Sequence, residues 1–125
     1  MADHDDEMTG HLGEHLSKVY ALLVMVCDHL PLPIALPTGF VMGDEAITAV
    51  QRVAEIGRDQ TLPEDRKAEL VTGCLFWLGA LDLLRIQMEE PHPVRVHSAA
   101  ACLITAERNL ASLGMWLAKE EGHQE

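Results

Sequence analysis

The chain has 125 residues, of which nearly half are apolar, so it is about one domain and can form a hydrophobic core without metals or crosslinks. Its formal net charge is −11, from 9 basic and 20 acidic residues. This balance argues against a nucleic-acid interface, which needs clustered basic residues, and against binding to an anionic membrane surface.

The apolar runs and the cysteines indicate the compartment. No apolar run reaches the roughly 18 residues that span a bilayer, and the acidic N-terminus is unlike a secretory signal. Cys27, Cys74 and Cys102 occur singly, without a CxxC pair. We therefore expect a cytoplasmic protein whose reduced thiols serve as small core residues, with no cofactor. A catalytic thiol is the less favoured alternative.

The first helix is predicted from about Thr9 to Leu30, after a mobile acidic arm at residues 1–8. Apolar residues recur along it in steps of four and three, at Leu12, Leu16, Val19, Leu23, Val26 and Leu30. Residues 19–27 are apolar all round, apart from the hydroxyl of Tyr20. Such a helix needs neighbours on several sides.

The start of this helix contains the pattern H-x-x-E-H, with His11 and His15 one helical turn apart. Two histidines at this spacing share a helical face and are able to bind Zn²⁺. No third ligand is indicated by the sequence, and Gly13 weakens the helix between them. We therefore interpret both as exposed histidines and expect no metal site.

Residues 31–43 form a long connection between the first two helices. Its three prolines forbid a helix and weaken any strand. The segment is nevertheless apolar, which is unusual for a surface loop, and it includes Phe40. It is predicted to plug the open end of a bundle; alternatively, it covers a ligand pocket or meets a partner.

The remaining chain predicts three more helices. An amphipathic helix from Asp44 to Arg58 covers the core. The next helix, from Thr61 to Glu90, is apolar at every position between Cys74 and Leu81. A fourth helix follows Pro93 and reaches about Lys119, with a regular seam at Val96, Ala99, Leu103, Ala106, Leu110, Leu113 and Leu117.

These elements predict an all-α protein: an antiparallel up-down four-helix bundle over residues 9–120, with a frayed tail at 121–125. Four helices cannot cover two helices that are apolar all round. We therefore expect a second copy of the chain to cover the excess, in a homodimer. Gly79 and Ala80 would allow another helix to approach closely.

Asp82 is the main candidate for chemistry, because a charge on an apolar helix is costly unless it is paired. One interpretation is that an Asp82–Arg85 pair, extended by Arg108, fixes the register of the helices. The other is that Asp82 is an acid or base in a pocket, with a pKa tuned by burial.

An up-down order would bring Asp82, Arg85, His29 and His97 to one end of the bundle, beneath the 31–43 loop. We therefore predict a pocket for a small apolar molecule, with Asp82 and His97 as catalytic groups of an acid–base enzyme of the isomerase or cyclase type. The predicted ligand-binding residues are Arg85, His29, Phe40, Trp77 and Tyr20. The alternative is a homodimeric interaction or regulatory module without chemistry.

Overall fold

The computed structural model describes the backbone of residues 2–39, 41 and 43–123, and the side chains of residues 7–39, 41 and 43–122. The described chain contains four helices and no strand: α1 Ala2–Asp28, α2 Asp44–Ile56, α3 Glu64–Glu89 and α4 Pro93–His123, with a short 3-10 turn at Gly57–Asp59 between α2 and α3. The all-helical prediction is confirmed. None of the described helices has the length and hydropathy that crossing a bilayer requires.

The helices at both ends of the chain are longer than predicted. α1 begins at Ala2 rather than near Thr9, because residues 2–8 contain no proline or glycine that would end the helix. The predicted N-terminal arm is therefore helical from Ala2 on. α4 likewise continues to His123, into the segment expected to fray.

The predicted apolar seams form the core. All six seam residues of the first helix are buried, although Leu30 follows the end of α1, and so are all seven of α4. On α3 the predicted seam is Leu70, Cys74, Trp77, Leu81, Leu84 and Met88, of which all but Met88 are buried. α2 contributes Ala46, Val50 and Val53. The period of the apolar residues thus predicts most of the inward faces.

α1 and α4 run parallel to each other. His15 Nε2 lies 3.2 Å from Glu107 Oε2, and His29 Nδ1 lies 2.6 Å from Glu121 Oε1. His15 and His29 are fourteen residues apart, and so are their partners Glu107 and Glu121, in the same order along the chain. The two helices therefore point in the same direction. In an up-down-up-down bundle these two helices would be antiparallel.

α3 packs between the other helices and is antiparallel to them. The indole Nε1 of Trp77 donates to the carbonyl of Leu16 at 3.0 Å, and its ring centroid lies 5.4 Å from that of Tyr20. Gly73 faces Leu110 of α4, and Gly57, at the end of α2, faces Leu70. α2 therefore lies beside the first half of α3 and is parallel to α1.

Residues 29–43 return along the bundle, and among the described residues no Cα atom of α1 lies within 8 Å of one of α2. The Ile34 amide donates to the carbonyl of Cys27, and the Tyr20 hydroxyl donates to the carbonyl of Pro37. The loop thus runs back past the middle of α1 before α2 begins. The predicted up-down order and the predicted end plug are both wrong, because thirteen extended residues are long enough to span the bundle.

Two buried glutamines hold the connections in place. Gln60 is 2% exposed, and its side-chain amide bonds both backbone groups of Leu32, at 2.9 Å to the N–H and 2.8 Å to the carbonyl. Gln87 accepts a hydrogen bond from the amide of His92 at 2.9 Å, which fixes the turn between α3 and α4. These bonds satisfy backbone groups that the loops leave unpaired.

We expect Gln60→Ala to lower the free energy of unfolding by about 1–3 kcal/mol, since it leaves the backbone groups of Leu32 without their partner. Urea unfolding followed by circular dichroism measures this loss. The control is Gln51→Ala, an exposed position on α2, which should change stability by less than about 0.5 kcal/mol. Equal effects at both positions would contradict the role of Gln60.

Candidate functional site

Asp82 is exposed on the outer side of α3, so its predicted burial is wrong. Within the part of the chain that the structure describes, no cation lies at ion-pair distance from its carboxylate, and Arg85 and Arg108 are exposed as well. The register-fixing pair with Arg85 is therefore not formed. An exposed carboxylate carries none of the desolvation that a pocket acid or base was expected to have.

The two histidines of the predicted site lie at opposite ends of the molecule. His29 follows the end of α1 and contacts Glu121 near the end of α4, whereas His97 is in the first turns of α4. This separation follows directly from the parallel arrangement of α1 and α4. The predicted convergence of Asp82, Arg85, His29 and His97 under the loop is therefore wrong.

Tyr20 and Trp77, predicted to bind a ligand, are buried at the centre of the core. Trp77 is 0% exposed, and its only polar side-chain atom, Nε1, donates to the carbonyl of Leu16. The Tyr20 hydroxyl is used by Pro37, and burial raises the pKa of Tyr20. Both aromatic residues thus join α1 to α3 and to the loop. Phe40 lies outside the described residues.

The 31–43 loop does border a groove, but with α2 as its other wall. The larger part, about 610 Å³, is lined by Ile34, Ala35, Leu36, Pro37, Asp44, Glu45, Thr48, Ala49 and Arg52. A smaller part of about 260 Å³ shares Pro37, Asp44 and Glu45 with it and continues towards Val41. Sequence reasoning assigned the loop to a pocket but missed α2, because the direction of the loop was unknown.

Three histidines surround a shallow depression of about 220 Å³ between α1 and α4. His11, His15 and His97 line it, together with Met8, Leu12, Val96 and Ala100. Among the described side chains, no group of three or more His, Cys, Asp or Glu residues is arranged to hold a metal ion. The imidazole of His15 instead contacts the carboxylate of Glu107.

The outer surface of α3 is apolar although it faces solvent. Leu75, Phe76 and Ile86 are 54%, 40% and 44% exposed, and no atom lies within 4 Å of the position that a Cβ at Gly79 would take. Single exposed apolar residues are ordinary, but a row of them on one helix marks an interaction surface. The four helices therefore leave exposed the excess apolar surface that the sequence predicted.

The cysteines differ in their access to solvent. Burial raises the pKa of Cys27 to about 12 and raises the pKa of Cys74 further, while Cys102 is partly exposed. A thiol with a raised pKa holds little of the thiolate that nucleophilic attack requires. This argues against a catalytic thiol at Cys27 or Cys74.

No protein-family model, curated protein sequence or solved structure matches the chain.

We expect one thiol of three to react quickly with Ellman's reagent at mildly alkaline pH in the folded protein. The fast thiol is Cys102, and Cys102→Ala should remove the fast phase. Cys27 and Cys74 should react only as fast as the chain unfolds, and all three should react at once in guanidinium chloride. Three equal rates in the folded protein would contradict this burial.

Proposed function

We propose that the protein is a non-enzymatic helical module that forms a homodimer through one surface of α3 and α4. The observation that carries the proposal is the uncovered apolar row on α3. We call this surface the α3/α4 face; it consists of Thr72, Leu75, Phe76, Gly79, Asp82, Leu83 and Ile86 of α3 and, on the side of α4 that meets Arg66 of α3, Ser112 and Trp116.

The α3 part of the α3/α4 face exposes apolar side chains: Leu75 is 54%, Phe76 40% and Ile86 44% exposed. α3 and α4 pack on each other, and α4 continues the face with the side that meets Arg66 of α3. At one end of this surface the Arg66 guanidinium lies 5.7 Å from the centroid of the Trp116 ring and donates to Ser112.

Gly79 at the middle of the face supports a close approach by another helix. Glycine inside a helix costs about 1 kcal/mol relative to alanine, and nothing in the chain itself would clash with a Cβ there. A partner helix that packs against Gly79 gives a reason for its presence. By contrast, Leu110 lies within 3 Å of the Cβ position at Gly73, so packing within the chain accounts for that glycine.

The charge on the face favours a second copy as the partner. Two chains that each carry −11 repel each other unless they meet on a surface that is not acidic. Among its members, the α3/α4 face carries one charged residue, Asp82. It is therefore a nearly neutral surface on a strongly acidic protein.

The size of the face suits a modest affinity. From Thr72 to Ile86 the surface is about 21 Å long, and two adjacent helices make it about 20 Å wide. Such an area, about 840 Å² over both copies, lies below the usual range for stable interfaces and suits a weak, reversible association. We therefore expect a dimer whose dissociation constant is in the low micromolar range or higher.

We expect sedimentation equilibrium to show a monomer–dimer equilibrium for the natural chain and a monomer for Gly79→Glu, which puts a charged side chain at the centre of the face. The matched control is Gly10→Glu in α1, where a Cβ also meets nothing within 4 Å and the added charge is the same. This control should associate as the natural chain does, and both variants should unfold at unchanged or higher urea concentration.

A natural chain that stays monomeric at high concentration would refute the proposal. So would a dimer that Gly79→Glu leaves unaffected.

An acid–base enzyme centred on Asp82 and His97 is less well supported. The structure leaves Asp82 in solvent, and the two cationic candidates near it, Arg85 and Arg108, are equally exposed. General acid–base catalysis needs groups within hydrogen-bond reach of a bound substrate in a site that limits water. The groove beside the loop is the better place to look for a ligand.

A further inference from the structure

We infer that the groove between the 31–43 loop and α2 binds an extended peptide that carries a basic and an acidic side chain four residues apart. This inference concerns a different surface from the α3/α4 face and does not depend on dimer formation. Three features of the groove support it: its shape, the unpaired backbone of one wall and the charges of the other.

The shape of the groove suits a chain segment. Its two parts, of about 610 Å³ and about 260 Å³, share Pro37, Asp44 and Glu45, so they form one elongated groove that is open to solvent. Small residues lie along it, including Ala35 on the loop side and Ala49 on α2. An open groove of this length accommodates an extended backbone with its side chains.

The loop wall offers backbone hydrogen-bonding groups. Residues 33–38 are not helical; the Ile34 amide is bonded to Cys27, and the Pro37 carbonyl accepts from Tyr20. Within the described structure, the N–H and C=O of Ala35 have no protein partner. Ala35 is exposed and lines the groove, so its N–H and C=O are accessible to a peptide that lies there. An added peptide strand pairs with such groups.

The α2 wall has opposite charges at its two ends. Asp44 and Glu45 are exposed and have no ion-pair partner among the described residues, and the same holds for Arg52. Asp44 and Arg52 are eight residues apart on α2, which is about 12 Å. Side chains four residues apart on an extended peptide point the same way and are about 13 Å apart. The spacing of the two ends therefore matches a Lys and a Glu at positions i and i+4.

The net charge of the whole protein also favours a peptide with a basic residue. With a net charge of −11, the chain attracts basic segments, and Asp44 and Glu45 give such a segment a place to dock. Both ion pairs would be exposed to solvent, so each adds only modest affinity. Backbone pairing with Ala35 and contacts with Ile34, Leu36 and Ala49 supply the rest.

The test uses the ¹⁵N-labelled full chain and the synthetic peptide acetyl-Thr-Lys-Val-Ala-Val-Glu-Thr-amide. We expect submillimolar binding, with amide shift changes concentrated on Ala35, Leu36, Thr48 and Arg52. The comparison peptide acetyl-Thr-Val-Lys-Glu-Val-Ala-Thr-amide has the same composition but adjacent charges. It should bind about fivefold more weakly, because it cannot reach both ends of the α2 wall.

Variants of the protein locate the binding. Ala49→Phe fills the groove and should abolish binding, whereas Ala118→Phe, an exposed position on α4, should leave it unchanged. Arg52→Glu should weaken binding of the first peptide by about fivefold and leave that of the comparison peptide unchanged. Absence of shift changes at millimolar peptide would overturn the inference. So would shift changes centred outside the groove, or equal affinity for the two peptides.

Discussion

The parallel packing of α1 on α4 is the constraint on which the rest of the structure depends. With α3 antiparallel to both helices, the space beside α3 that remains for α2 begins at the far end of the molecule from the end of α1. The chain must therefore travel back along the bundle before α2 begins, and residues 29–43 do so. Tyr20 and Gln60 hold this return through hydrogen bonds to Pro37 and Leu32. The groove between the loop and α2 exists because the loop keeps α1 and α2 apart.

The sequence was sufficient to predict the secondary structure and most of the inner face of each helix. Prolines bound the helices, and apolar residues at steps of three and four are enough to identify residues such as Leu16, Trp77 and Leu110 as core. The same pattern indicated more apolar surface than four helices cover, and Leu75 and Phe76 are exposed accordingly. The pattern failed at Met88, which is 62% exposed in the last turn of α3.

The direction of α1 and the place of the site were not predictable from the sequence. A proline-rich segment of thirteen residues is long enough either to turn at the end of a bundle or to cross its length, and no local pattern distinguishes the two. With α1 and α4 predicted to be antiparallel, His29 was expected beside His97, and Asp82 at the centre of a pocket between them. The run around Asp82 is apolar on every side, so its periodicity does not indicate which side faces solvent. In the structure that side combines Asp82 with uncovered apolar residues, which is why self-association replaces catalysis as the better supported function.

Nuclear Overhauser contacts between α1 and α4 test the parallel arrangement most directly. The Cγ2 methyl of Val26 lies 3.5 Å from the Cβ position at Gly114, in the last third of α4. We therefore expect strong contacts between the methyl protons of Val26 and the α-protons of Gly114. Contacts from Val26 to the first turns of α4, around Ala99 and Ala100, would instead require α1 and α4 to be antiparallel and would contradict the account.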